Sequence, residues 1–313
     1  MRALHVPAPG EKPQIGDLPI PAVTDNTVLV RVRAAGLNPL DNAIGAGWLA
    51  GMMPHEYPLV LGRDAAGVVE AVGAGVEHVK PGDEVIGHVL LTPPIQAGTL
   101  AEFALLPAAA VTPKPAGLDF VQAAALPLAA AAASQAVEAI DPQAGQTVLI
   151  SGASGGVGSF AIQLLAARGV TVIATGADTE RLTGLGATTV VDRAAGPIDE
   201  QVLTAYPDGV DALITLYGRS NADVPLAAVR PGGQVATLAQ VPDSEAGTAA
   251  GVTVTKIMAK AVGEITGPLA AQAAAGTITV DVGMVLPLEQ ALDGLAAIAA
   301  GRARGKTVVT LDH

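Results

Sequence analysis

Residues Thr147 to Gly158 read TVLISGASGGVG: an apolar run, a glycine-rich turn and the opening of a helical pattern. Val148, Leu149 and Ile150 form the short continuous apolar run of a parallel strand covered on both faces. Val157, Phe160, Ala161, Leu164 and Leu165 then recur at helical spacing, the stripe of a helix that packs back onto that strand. Between them, Ala153-Ser154-Gly155-Gly156-Val157-Gly158 is a dinucleotide fingerprint with alanine in place of the first glycine. A glycine at 155 lets a pyrophosphate approach the backbone, and Gly158 lets helix and strand pack closely. The helix N-terminus offers free N–H groups to the phosphates, and Ser151 and Ser154 add hydroxyl donors.

Composition bounds the partners. The chain has 313 residues, enough for two domains with separate cores. Its formal charge of −12 repels nucleic-acid phosphates and anionic membrane surfaces, and with 2% aromatic residues there is little to stack on bases. Small molecules are the expected ligands. With no cysteine, neither disulfides nor thiolate metal sites can form. The N-terminal MRALHVPAPG lacks a signal-peptide core and no apolar run reaches membrane-spanning length, so the expected location is the cytoplasm.

Taken in order, residues 1 to about 118 read as β-rich, with strands at Thr27–Ala34, Ala66–Val72, Asp83–Ile86 and Gly98–Leu106 and no helix before Asp119. Ala123–Ala139 reads as one buried alanine-rich helix. From Gly145 strands and helices alternate, the rhythm of a parallel sheet with crossovers. Strands are expected at Val170–Thr175, Thr188–Val191, Val210–Leu216, Gln234–Leu238 and Val252–Ile257, with a helix at Asp178–Leu185. The last forty or so residues read αβαβ, with helices at Ile265–Ala275 and Leu288–Ala300 and strands at Val280–Val285 and Lys306–Leu311. They either extend the dinucleotide domain or rejoin the first.

Several spaced motifs carry a resemblance over almost the whole chain: Ala35-Gly36-Leu37-Asn38-Pro39-Leu40-Asp41, Leu61-Gly62-Arg63-Asp64-Ala65-Ala66-Gly67, Val79-Lys80-Pro81-Gly82-Asp83-Glu84-Val85, the fingerprint, and Ala303-Arg304-Gly305-Lys306. Together they resemble the medium-chain dehydrogenase/reductase superfamily, in its zinc-free quinone oxidoreductase (zeta-crystallin-like) branch. The resemblance implies an α/β protein. A GroES-like β-rich catalytic domain would span 1–120, a Rossmann doubly wound parallel-sheet domain 121–262, and a segment returning to the catalytic domain 263–313.

By the same resemblance, zinc-dependent relatives carry a cysteine where this chain has Asn38 and a histidine where it has Arg63. Asn is a poor neutral ligand, and Arg has no lone pair to give. His5, His55, His78, His88 and His313 form no ligand spacing and read as single surface or loop histidines, so no metal is expected. Without a Lewis acid the delocalised acceptors fit best, quinones and α,β-unsaturated carbonyls, whose product oxygen needs hydrogen-bond donors. Asn38 offers an amide for that, or else fixes its own turn before Pro39. Asp41 orients the loop, or is a capping or solvated aspartate. Trp48 is a planar wall for a flat substrate or a buried loop anchor, and Tyr57 follows in the same region. Arg63 and Asp64 read as a structural ion pair.

The nicotinamide cofactor is expected to be NADPH, with NADH possible. Asp178 stands about twenty positions past the fingerprint, where an acidic residue selects NAD. It also precedes Thr179-Glu180-Arg181-Leu182 as a helix N-cap, which leaves Gly176 facing the ribose with room for a 2′-phosphate. Arg181 and Arg193 are the candidate phosphate ligands. Tyr217 and Leu238, at the ends of the fourth and fifth strands, complete the cofactor set, since ligands bind at the carboxyl ends of parallel strands. An open edge at the sixth strand predicts a homodimer, as does the resemblance. Two other functions stay open: an enoyl-thioester (CoA or carrier-protein) reductase on the same scaffold, and a non-catalytic NAD(P)H-binding sensor or structural protein.

Overall fold

The computed structural model describes residues 1–239 and 241–311. The chain divides into two units, Met1–Ala131 with Lys260–His313, and Ala132–Ala259. Strands β1 (Arg2–Val6), β2 (Gln14–Asp17), β3 (Thr27–Leu37), β4 (Leu59–Val60), β5 (Asp64–Val72), β6 (Glu84–His88), β7 (Phe103–Pro107) and β8 (Val111–Pro113) come first, with helices α1 (Pro39–Gly45) and α2 (Phe120–Ala124). Helix α3 (Pro127–Ile140) leads into the second unit. There follow β9 (Thr147–Ser151), α4 (Gly156–Ala166), β10 (Thr171–Thr175), α5 (Thr179–Gly184), β11 (Thr189–Val191), α6 (Ile198–Ala205), β12 (Val210–Thr215), β13 (Val229–Thr237), α7 (Ser244–Ala249) and β14 (Thr253–Lys256). The chain then returns to the first unit with α8 (Gly263–Ala274), β15 (Val282–Pro287), α9 (Ala291–Ala299) and β16 (Lys306–Thr310). No helix among the described residues is long and apolar enough to cross a membrane.

The first unit is built on a sheet ordered β15-β16-β3-β5-β6-β8, with β7 also pairing to β3 and a small sheet β2-β1-β4 beside it. Val28, Val30 and Val32 of β3 are fully buried in a core shared with Leu59, Leu61, Val85 and Leu106. The C-terminal segment rejoins this unit: β16 runs antiparallel to β3, with Thr307 opposite Leu37 and Val309 opposite Ala35. Leu288, Ala291, Leu295 and Leu311 complete the same core.

The second unit is one parallel sheet in the order β11-β10-β9-β12-β13-β14, which in chain sequence is third, second, first, fourth, fifth, sixth. That order is the doubly wound arrangement, whose direction reverses between its first and fourth strands. Val148, Leu149 and Ile150 of β9 are fully buried, as a central parallel strand requires. Ile257 N–H donates to Thr237 across the β13 side at 2.8 Å, so the alternating N–H of Lys256 faces the open edge of β14.

Several expectations need correction. Helix α1 lies in the stretch read as free of helix: Pro39 opens its first turn, and Asp41 reaches back to accept the Asn38 N–H at 2.8 Å. The single alanine-rich helix is two, because Pro127 lacks an N–H and pushes Leu126 out of the helical region. Helices α6 and α7 were not expected; they are the crossovers that parallel neighbours demand. The two compact units divide after Ala131 and Ala259, with α2 packed on β3 and β5. The sixth strand begins at Thr253, and buried Val252 belongs to the preceding turn, its N–H bonded to Gly247.

The glycines of the turn make separable predictions. A Cβ on Gly158 would overlap the Ala153 backbone, whereas one on Gly155 meets nothing nearer than the Gly152 carbonyl at 3.9 Å. Gly158→Ala is expected to destabilise the protein by about 2 kcal/mol or more, and Gly155→Ala to change it by about 0.5 kcal/mol or less. Denaturant unfolding of both variants checks the order.

Candidate functional site

In the second unit, β9 and β12 lie side by side with Ser151 opposite Thr215, and the chain reversal opens a crevice beyond their carboxyl ends. Gly152, at a φ of +84°, makes the turn there and donates its N–H to Thr175 Oγ1 at 2.8 Å. Helix α4 begins at Gly156 after an extended Gly155 that supplies no side-chain cap. The first N–H groups of α4 therefore point outward at the positive end of the helix, a fit for a pyrophosphate. Buried Ala153 packs under Gly158, while Ser154, Gly155, Gly156 and Val157 stay half-buried at the surface of the turn.

The flanking residues gather at this crevice. Tyr217 follows β12, its carbonyl accepting from Thr215 Oγ1 at 2.9 Å, and the Arg193 guanidinium lies 4.6 Å above its ring centroid. Leu238 N–H is bonded to the Thr215 carbonyl at 3.0 Å. Arg181 reaches the turn directly, with Nη2 3.2 Å from the Ser154 carbonyl. Asp178 is engaged as the N-cap of α5, its Oδ1 accepting the Arg181 N–H at 3.1 Å. Gly176 differs from expectation: the space over it is filled by Ser154 Oγ and Leu182 Cδ1, so its missing side chain serves packing rather than an open ribose pocket.

The first unit holds a buried polar centre that the sequence did not reveal as such. Asp64 Oδ1 accepts from His88 Nδ1 at 2.7 Å and from the Leu128 N–H, at the start of α3, at 3.1 Å. Its Oδ2 accepts from Asn38 Nδ2 at 2.8 Å and Lys306 Nζ at 3.4 Å. Sheet register brings these together, since Asp64 stands opposite both Gly36 and His88 across the ladders of β5. Lys306 completes its donors with Leu37 O at 3.0 Å and Asn38 Oδ1 at 2.8 Å. Burial pushes the Asp64 carboxyl upward, but the Lys306 ammonium, the His88 bond and charge and the Asn38 amide outweigh it and hold it below the ordinary value.

Several earlier readings change here. The Asn38 amide does not face open space: its Nδ2 is spent on Asp64 and, at 3.4 Å, on the Gly36 carbonyl. Arg63 and Asp64 form no ion pair, because neighbours in an extended chain point to opposite sides, and Asp64 takes Lys306 and His88 instead. Of the readings of Asp41 the capping one holds and the solvated one does not: it accepts the Asn38 N–H, and burial lifts it to about 7 against that bond and the Arg63 charge. Trp48 is 75% exposed, so it is no buried anchor, while Tyr57 packs half-buried against the core with its ring centroid 6.4 Å from that of His55. Two of the histidines, His5 and His88, are buried rather than surface; His78 bonds the Val111 carbonyl, and His313 lies outside the described residues. Lys306 sits in a motif already noted, but nothing local to it signals a partner so far along the chain.

These residues do not fit a zinc ion. The oxygen atoms of Leu37, Asn38 and Asp64 already surround an ammonium, which brings its own positive charge. Among the described residues no group of three or more His, Cys, Asp or Glu side chains could hold a metal ion.

Asp41 makes the pH-dependent prediction. A carboxyl raised in the folded state binds its proton more tightly there, so its contribution favours folding below the ordinary value of 3.8 and is lost as pH rises through about 7. Against Asp41→Asn, which cannot titrate, the wild-type protein is expected to lose stability by about 1 kcal/mol per pH unit across that window. Unfolding curves in a pH series measure it, and a flat difference would mean that Asp41 is ionised in the fold.

Residues 24–116 match the family model of the alcohol dehydrogenase GroES-like domain, and residues 156–272 that of the zinc-binding dehydrogenases. The NAD(P)H oxidoreductase RTN4IP1, mitochondrial, of Danio rerio is 40% identical over 196 residues, 56% of this chain and 50% of that protein. The chain thus spans about half the length of the first curated relatives it matches. The 2-methylene-furan-3-one reductase of Solanum lycopersicum is 31% identical over 299 residues, 93% of this chain and 73% of that one. Among solved structures, the quinone oxidoreductase from Coxiella burnetii superposes with a TM-score of 0.88 at 26% identity, covering 100% of this chain and 99% of its own. With a GroES-like unit and a doubly wound sheet both matched by family models, this chain belongs to the medium-chain dehydrogenase/reductase superfamily, alongside its quinone oxidoreductase-like members.

Proposed function

We propose that the chain is a zinc-independent, NADPH-dependent reductase that passes hydride to a quinone or an α,β-unsaturated carbonyl. The observation that carries this reading is that Asn38, where zinc-dependent relatives carry a cysteine, holds the Lys306 ammonium together with Asp64. When bound, reduced nicotinamide supplies hydride from its C4 position. The chain's own contribution is the uncapped N-terminus of α4 for the pyrophosphate, and Tyr217 with Arg193 at the crevice. The tomato relative, named for reduction of a conjugated ketone, and the Coxiella structure, named for a quinone, support the acceptor class.

The choice of NADPH rests on the two side chains that compete for the ribose. Asp178 is occupied as a helix cap, whereas Arg181 lies on the turn where a 2′-phosphate would be received. Arg181→Ala is expected to weaken NADPH about tenfold or more in dissociation constant and to spare NADH. Tighter binding of NADH, reversed by Asp178→Ala, would overturn the preference. For the reaction itself, nicotinamide absorbance with a panel of quinones, enones and enoyl thioesters should fall with the first two classes and be indifferent to a strong chelator. Preference for the thioesters would assign the other reductase activity; no turnover with any acceptor would leave a cofactor-binding protein without catalysis.

The open edge of β14, with Met258 73% exposed beside it, supports a homodimer joined through the second unit's sheet. Lys256→Pro removes an edge N–H without touching the β13 ladder and is expected to give monomers by light scattering. A wild-type protein that is monomeric at every concentration refutes the assembly.

A further inference from the structure

Arg63 is 1% exposed, yet its Nε and Nη2 have no hydrogen-bond partner among the described residues. These two nitrogens share one edge of the guanidinium, and their parallel N–H bonds form a fork suited to an oxyanion. Other unpartnered buried atoms lie around it: Asp41 Oδ1, both ring nitrogens of His55, and Thr99 Oγ1, which stands against Gly62, the residue before Arg63. Asp41 and Asp64 act on Arg63 electrostatically, and Arg63 in turn depresses the His55 imidazole, after burial, so these groups share one neighbourhood. Buried donors of this kind are almost always satisfied, and each costs about 1–3 kcal/mol when left alone. Such a concentration marks a place built to receive an oxygen.

We propose that the Arg63 fork holds the oxygen of the acceptor as it gains charge during reduction, the role first expected of Asn38. This rests on the reductase reading above. Hydride brings two electrons and one hydrogen to the electrophilic carbon; the carbon–carbon π pair shifts, and the carbonyl π pair moves onto oxygen. The Arg63 N–H groups stabilise that charge. In an enone a proton from water then adds to the α-carbon; in a quinone water protonates that oxygen, and a C–H proton of the carbon that took the hydride passes through water to the second carbonyl oxygen, giving the hydroquinone. The nicotinamide leaves oxidised. The Asn38 amide, held between Asp64 and Lys306, has no donor to spare for this, whereas Arg63 has two.

The test has one arm that needs no cofactor. A nitrophenol, standing in for the enolate or hydroquinone oxygen, is mixed with excess protein at a single pH near its own pKa, and its phenolate fraction is read by absorbance. Wild type is expected to shift the bound phenol toward phenolate, Arg63→Lys to keep part of the shift, and Arg63→Met to abolish it. In the second arm, Arg63→Met should lower kcat for quinones and enones about 10²-fold with the NADPH dissociation constant unchanged. Equal phenolate fractions in wild type and Arg63→Met, with equal kcat, would mean that water alone fills the fork and would overturn the proposal. Should wild type reduce no acceptor, the reductase reading fails by itself, and the phenolate arm still decides whether Arg63 binds an oxyanion. Arg63→Lys, which keeps the buried charge, covers the case in which the methionine variant does not fold.

Discussion

One carboxylate organises the first unit. Asp64 accepts four hydrogen bonds, from a strand neighbour, a lysine near the C-terminus, a loop amide and the first turn of α3. An ionised carboxylate buried without partners would be expelled or protonated, so its survival depends on all four staying in place. Its demands propagate. They fix the orientation of the Asn38 amide, the register of β16 beside β3, and the seat of the Lys306 ammonium. They also separate Asp64 from Arg63, whose guanidinium is thereby left with a free edge.

Electrostatics divides this centre in two. Around Asp64 every donor and acceptor is matched, which makes a rigid, conventional ion cluster. Around Asp41 and Arg63 polar atoms lie buried without partners, and the Asp41 carboxyl is driven toward neutrality. The matched half supports the structure; the unmatched half holds the donor we propose for the acceptor oxygen, since a preorganised donor in a dry setting acts most strongly on charge that arrives later. In the second unit the same division separates the buried strand β9 from the outward N–H groups of α4.

The second unit was legible because its signals are local. A central parallel strand must be apolar on both faces, and Val148-Leu149-Ile150 shows that in three residues; the turn beyond it carries its glycines in a fixed spacing. The parallel sheet with its crossovers follows from such runs, whereas they leave open where the last segment packs; its return to the first domain is implied only by the family resemblance, and its pairing with β3 by neither. What escaped was short or non-local. Helix α1 is seven residues long, and its capping residues read equally well as a turn. Helices α6 and α7 are only eight and six residues long, too short for an apolar stripe to repeat. The Asp64 cluster joins side chains separated by as many as 268 positions, Asn38 and Lys306, and only the pairing of β3 with β5 and β16 brings them together. A sequence pattern records which face a residue occupies, not which distant charge it meets there.

The route of the backbone also imposes an order of birth. The second unit is one uninterrupted stretch, complete once Ala259 has been made, whereas the first unit lacks α8, α9, β15 and β16 until synthesis is nearly over. During that interval Asp64 has no Lys306, and the core around β3 has no Leu288, Leu295 or Val309 to cover it. The second unit is therefore complete in sequence while the unit bearing the polar centre still lacks the strand that pairs with residues 34–37 of β3. The final strand acts as a latch, bringing the Lys306 ammonium to Asp64 and closing the edge of β3 at residues 34–37 in one element.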